Sequence, residues 1–112
     1  KYTQTTLNRV FILRLGQDEI LHETVERFAR EQNIRSAILW AVGGADAGSQ
    51  LVVGPRNGAA RPVIPLFTRL PDVHEITGFG TLFPDPAGLP VLHMHIAAGR
   101  RERTRTGCVR PG

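Results

Sequence analysis

The stretch "VLHMHIAAGRRERTRTGCV", residues 91–109, decides how the rest of the chain is read. Side chains of a strand alternate between two faces, so Leu92, Met94 and Ile96 point one way while Val91, His93, His95 and Ala97 point the other. The first set is a natural core face. The second puts two imidazoles roughly 7 Å apart by strand geometry, close enough for their rotamers to converge on one metal ion. A third ligand must come from another segment, and Cys108 in "TGCV" is the best candidate. It falls on the next strand if "GRRERT", residues 99–104, forms the hairpin loop. Two nitrogens and one sulfur suit zinc or another divalent transition metal, and three protein ligands leave a position open for water or substrate. The alternative stays open, because paired strand histidines also occur as hydrogen-bonded or interface residues.

Upstream, residues 7–15, "LNRVFILRL", are rich in apolar β-formers and read as a first strand. Gly16 breaks it, and Asp18 stands where a helix N-cap would be. Leu21, Val25, Phe28 and Ala29 then recur at helical spacing, and Asn33 is the expected C-cap. His22 falls off that apolar stripe, near Asp18 and Glu26, and is expected at the surface. "IRSAILWAVGGA" reads as a buried strand ending at Gly43-Gly44. "GSQLVVG" is a shorter strand, and in "VIPLFTRL" Pro65 argues for an edge position or a bulge. "HEITGFGTLF" carries Gly78 and Gly80 on one face, which implies that something packs tightly there. About seven short strands and one principal helix make an α+β domain, a mainly antiparallel sheet with the helix packed on one face.

The 112 residues suffice for one domain with a real core. No run reaches the length of a membrane span, and Lys1 does not open onto the charged and apolar regions of a signal peptide. One cysteine rules out an internal disulfide and suits the reducing cytoplasm. The net charge of +4 is unevenly spread. Nine basic and nine acidic side chains balance over residues 1–98, whereas Arg100, Arg101, Arg103, Arg105 and Arg110 follow with Glu102 as the lone acid. The cluster directly after the histidine pair suits phosphate, another subunit's carboxylates, or water.

Taken together, "GQDEILHETVERFAREQNI", "AILWAVGGA", "HEITGFGTL", "PVLHMHIAAGR" and the "TGCV" step resemble the PPC domain, a family of plants and prokaryotes, over nearly the whole chain. The resemblance implies a compact domain with an antiparallel sheet, residues 1–112, assembled as a homotrimer. In prokaryotes such domains stand alone and often carry the label of a predicted DNA-binding protein. It also implies a metal cluster near a subunit boundary, with His93 and His95 as the strand pair and Cys108 in the place of a third histidine. Thr106 replaces the first glycine of the family's glycine pair. Plant members use a short Arg-Phe-Glu-Ile-like stretch for partner contacts; here "VHEI" keeps Glu75 and Ile76. The family's further apolar strand is expected to be missing after "CVRPG".

Three functions compete at this stage. One is DNA association through Arg100, Arg101, Arg103 and Arg105, although there is no helix-turn-helix, zinc-finger spacing, AT-hook or aromatic stacking platform. Another is a trimeric interaction or regulatory module that needs no chemistry. The third is a small zinc-dependent enzyme or ligand binder, which needs a general base drawn from Glu75, His74 or Asp72. No nucleophile elbow, P-loop or dinucleotide fingerprint is present, so catalysis ranks last.

Overall fold

The computed structural model describes residues 1–111. Helix α1 (Leu21–Glu31) is followed by strands β1 (Ala37–Ala45), β2 (Gln50–Pro55), β3 (Pro65–Arg69), β4 (His74–Pro84), β5 (Pro90–Arg100) and β6 (Arg103–Arg110). All six strands join one antiparallel sheet in the order β1-β4-β5-β6-β2-β3. The α+β expectation holds, with six strands where about seven were expected.

The missing strand is residues 7–15. Its composition favours extension, but a strand needs a partner for its N–H and C=O groups, and this segment makes no ladder with the sheet. It runs instead beside the helix. Phe11 meets Phe28 edge-on at 5.2 Å, and the Arg9 guanidinium donates to the Gln32 carbonyl at 2.8 Å. Ile12, at 99% exposure, touches almost nothing.

The helix starts later than its sequence signals. Asp18 sits in a turn at φ 64 and does not cap; Ile20 holds the N-cap position without a side-chain bond. The Glu19 carboxylate instead ties the preceding turn to the helix, accepting the Gly16 N–H and the Thr24 hydroxyl. At the other end Gln32 is the C-cap, and Asn33 follows in the left-handed conformation at φ 55. Asn33 N–H then reaches the Arg30 carbonyl and Ile34 N–H the Ala29 carbonyl, the paired bonds that close a helix through a left-handed residue.

His22 is not at the surface. It is 7% exposed, and its Nδ1 has no hydrogen-bond partner among the described residues. The helix packs against β5, and His22 and Thr24 are buried there along with Val25 and Ala29. Burial lowers the His22 pKa, the nearby Glu26 carboxylate pushes it back up, and the Arg110 charge lowers it.

Leu92, Met94, Ile96 and Ala98 form the centre of the core on the helix side of β5, joined by Leu51, Leu70 and Leu82. Gly78 and Gly80 lie against this core where there is no room for a side chain. A Cβ on Gly78 would stand 2.6 Å from Ile96 Cγ2 and 2.8 Å from the His95 carbonyl oxygen. Pro65 opens β3, an edge strand, where its lack of an N–H costs no ladder bond. β1 is an edge strand rather than a buried one, and it continues past Gly43-Gly44 to Ala45. Its Ile38, Trp40 and Val42 point to the open side of the sheet, and Trp40 is 73% exposed.

Candidate metal centre

Register places the site. On the open face, Phe79 of β4 stands opposite His95 of β5, and His95 opposite Cys108 of β6. Trp40 of β1 and Val52 of β2 extend the same row on either side, and Phe67 of β3 ends it. His93 sits one row along, opposite Thr81. Alternation along β5 and β6 thus puts all three sequence-derived ligands on one face.

Their donor atoms converge. His93 Nε2 and His95 Nε2 lie 3.2 Å apart, and all ligand atoms of His93, His95 and Cys108 fall within 4.8 Å of one another. Two imidazole nitrogens on one tetrahedral ion stand about 3.3 Å apart, given metal–nitrogen distances of about 2.05 Å. The histidine pair is already at that spacing. A thiolate belongs about 3.6 Å from each nitrogen, a small closing movement for a side chain with one χ angle. Cys108 is buried and its thiol rests against the Val109 carbonyl at 3.7 Å, while both histidines are exposed. The donor set fits a borderline-soft divalent ion, which His93, His95 and Cys108 would hold through two nitrogens and one sulfur.

The acid–base candidates lie elsewhere. Glu75 pairs with Gly99, four residues beyond His95 and hence roughly 13 Å along the strand. His74 is buried, with Nδ1 2.7 Å from the Asp72 carbonyl. The Asp72 carboxylate is ion-paired with Arg100. None of the three reaches the ligand cluster. Glu75 is exposed, and Ile76 packs against the core.

The arginine cluster is also arranged differently from the expected hairpin loop over residues 99–104. β5 and β6 are joined by a two-residue turn, Arg101-Glu102, with Arg101 at φ 56. Arg100 is held by Asp72 and by the Val73 carbonyl at 3.0 Å. Arg105 lies within β6 and donates to Thr68 Oγ1 of β3 at 2.9 Å. Arg101 and Arg103 are exposed. The sequence reading overlooked Gln50 and Arg69, which share a row with Arg110, because their placement depends on strand pairing across β2 and β3.

A single antiparallel sheet, one covering helix and a His-x-His pair facing a cysteine describe a small α+β domain with three side chains that could hold a metal ion on one face. The sequence profile of the Plants and Prokaryotes Conserved (PCC, also written PPC) domain matches residues 2–112, and the chain belongs to that family. No curated protein matched the sequence. A metal-containing protein from Archaeoglobus fulgidus is similar at a TM-score of 0.83 and 20% identity, over 99% of this chain and 76% of that one. A plant- and prokaryote-conserved protein of Pyrococcus horikoshii superimposes at 0.76 with 22% identity, over 96% and 72% of the respective chains. A candidate DNA-binding protein of Bacteroides thetaiotaomicron gives 0.60 and 18%, over 80% and 59%. At these identities the likeness is one of fold.

Proposed function

We propose that the chain is a metal-holding PPC domain that works as a homotrimer in a regulatory or interaction role. The convergence of His93, His95 and Cys108 donor atoms within 4.8 Å carries this reading. It is supported by the metal-containing description of the Archaeoglobus fulgidus protein of similar fold. Zinc is the favoured ion, since a mixed nitrogen and thiolate set is what it prefers. A thiolate ligand also suits the reducing cytoplasm. Assembly is supported by the open face around the cluster, where Ile38, Trp40, Val42, Phe79, Phe83 and Val91 are all more than 45% exposed. An apolar patch of that kind on a small domain marks a contact surface. Glu75 would stand at its margin as a partner contact, with Ile76 beneath it.

Elemental analysis of the purified protein beside Cys108→Ser, with light scattering on both, tests this. Near one ion per chain, lost in the variant, in particles of three chains, is the expected result. No metal in the wild-type protein, or a monomer, overturns the corresponding half. A zinc-dependent enzyme is the alternative for the same site, in which the ion would lower the pKa of a bound water; it needs a base that the cluster itself lacks among the described residues.

A second reading, DNA association, draws on the description of the Bacteroides thetaiotaomicron protein and on exposed Arg101 and Arg103. With Arg100 and Arg105 engaged internally, two arginines of the four are left for phosphate contacts, which implies weak binding with a shallow salt dependence. A mobility shift unchanged by neutralising Arg101 and Arg103 would remove this reading.

A further inference from the structure

Gln50 pairs with Arg69 of β3 on one side and with Arg110 of β6 on the other, so the three residues stand abreast on neighbouring strands. At about 4.8 Å between strands, the two arginine Cα atoms are roughly 10 Å apart, and their side chains are long enough to meet above Gln50. Alternation along the strands puts Gln50 and Arg69 on the Cys108 face, next to the row that holds Cys108 and Phe67, and Arg110, at the end of β6, borders this row while its charge also acts on His22 of the helix. Strands β2, β3 and β6 contain no aspartate or glutamate. Neither of the two ion pairs among the described residues involves Arg69 or Arg110. The one internal bond of Arg69, to the Gly48 carbonyl, is a long one at 3.5 Å.

Arg69 and Arg110 flank β2 with no carboxylate on any of the three strands, and a pair of forked guanidinium groups around an amide donor is matched to an oxyanion. A shallow depression of about 450 Å³ lies here, lined by Gln50, Phe67, Thr68 and Arg69. Phe67, 53% exposed, gives it an apolar wall. We infer that Arg69, Gln50 and Arg110 form a site for a small organic anion, a carboxylate or a phosphate ester, whose apolar part lies along Phe67. Arg110 is two residues from Cys108, roughly 6.6 Å along β6. An anion held there would lie on the same face as, and close to, an ion bound by the neighbouring His93, His95 and Cys108; this last point rests on the metal reading, and the anion site does not.

Calorimetric titration of chelator-treated protein with inorganic phosphate and, separately, with benzoate tests the site. Saturable binding of at least one probe is expected, weakened tenfold or more in Arg69→Gln and in Arg110→Gln and unchanged in Arg56→Gln, which lies outside the row. Phosphate alone would assign the site to phosphate esters, and benzoate alone to carboxylates. Circular dichroism shows whether each variant is folded, and Gln50→Leu supplies a second, uncharged probe of the same row. No saturable binding of either probe, or equal binding by folded variants, overturns the inference. Metal analysis of the same samples separates the two claims: anion binding by a protein that takes up no zinc removes the metal and leaves the anion site standing. If zinc is taken up, tighter anion binding to the loaded protein supports the closeness to the ion, and unchanged affinity refutes it.

Discussion

The Glu26 carboxylate accepts the backbone N–H of Leu92 at 2.9 Å, joining the middle of the helix to the strand that carries both histidines. The pairing of β5 with β6 runs from His95 to Arg100, so Leu92 lies beyond it and its N–H is free to take a side-chain partner. Glu26 satisfies a group that would otherwise be left without one.

Glu26→Ala should therefore cost about 1–3 kcal/mol, the usual penalty of orphaning a partly buried donor. Glu26→Gln keeps an acceptor oxygen and should lose about half as much. Urea unfolding of the two variants checks the order; equal losses would mean that the charge, not the hydrogen bond, matters.

His22 sets a pH dependence. Its pKa is lowered from 6.5 in the folded chain, chiefly by burial, with Glu26 opposing the shift and Arg110 adding to it. Between the folded value and 6.5 the unfolded chain binds more protons, so stability falls as pH drops below 6.5 and levels off under the folded value. His22→Gln should flatten the difference in urea midpoint between about pH 7.5 and pH 5.5. A variant with the wild-type slope would place the titration elsewhere.

Arg101 holds φ 56 in the β5–β6 turn, a conformation that costs an L-residue with a long side chain roughly 1–2 kcal/mol. Glycine removes that strain and adds some entropy to the unfolded chain. Arg101→Gly should raise stability by roughly 0.5–1 kcal/mol, read as a higher thermal midpoint. On the proposed metal reading it should leave metal content unchanged, since His93, His95 and Cys108 lie away from the turn.

Gly78→Ala should cost about 2 kcal/mol or more, because the new methyl meets the His95 carbonyl, a backbone atom that cannot rotate away. Relief requires β4 and β5 to separate at His95 itself. Loss of stability accompanied by weaker metal retention is expected, and chelator titration of the folded fraction measures the second effect.

Much of the site was legible in the sequence because it depends on local rules. Period-two alternation assigned His93 and His95 to the face away from Leu92, Met94 and Ile96, and a hairpin was enough to bring Cys108 across. Pairing over longer distances was not legible. Residues 7–15 have the composition of a strand, but composition cannot say whether a partner edge exists. β1 is as apolar as a buried strand, yet one face is open to solvent. The burial of His22 and Thr24 beside the Val25–Ala29 stripe depends on how the helix is seated on the sheet, which helical spacing does not determine. The Arg69–Gln50–Arg110 row needs two crossings of the sheet and has no counterpart in any motif.

All three proposed ligands lie in one hairpin, from His93 to Cys108, joined by a two-residue turn. The coordinating chemistry is therefore portable. Grafted onto another antiparallel sheet with the same facing register, this segment would carry its nitrogen and sulfur donors with it, while the helix, the edge strands and the arginine row would be free to diverge around it.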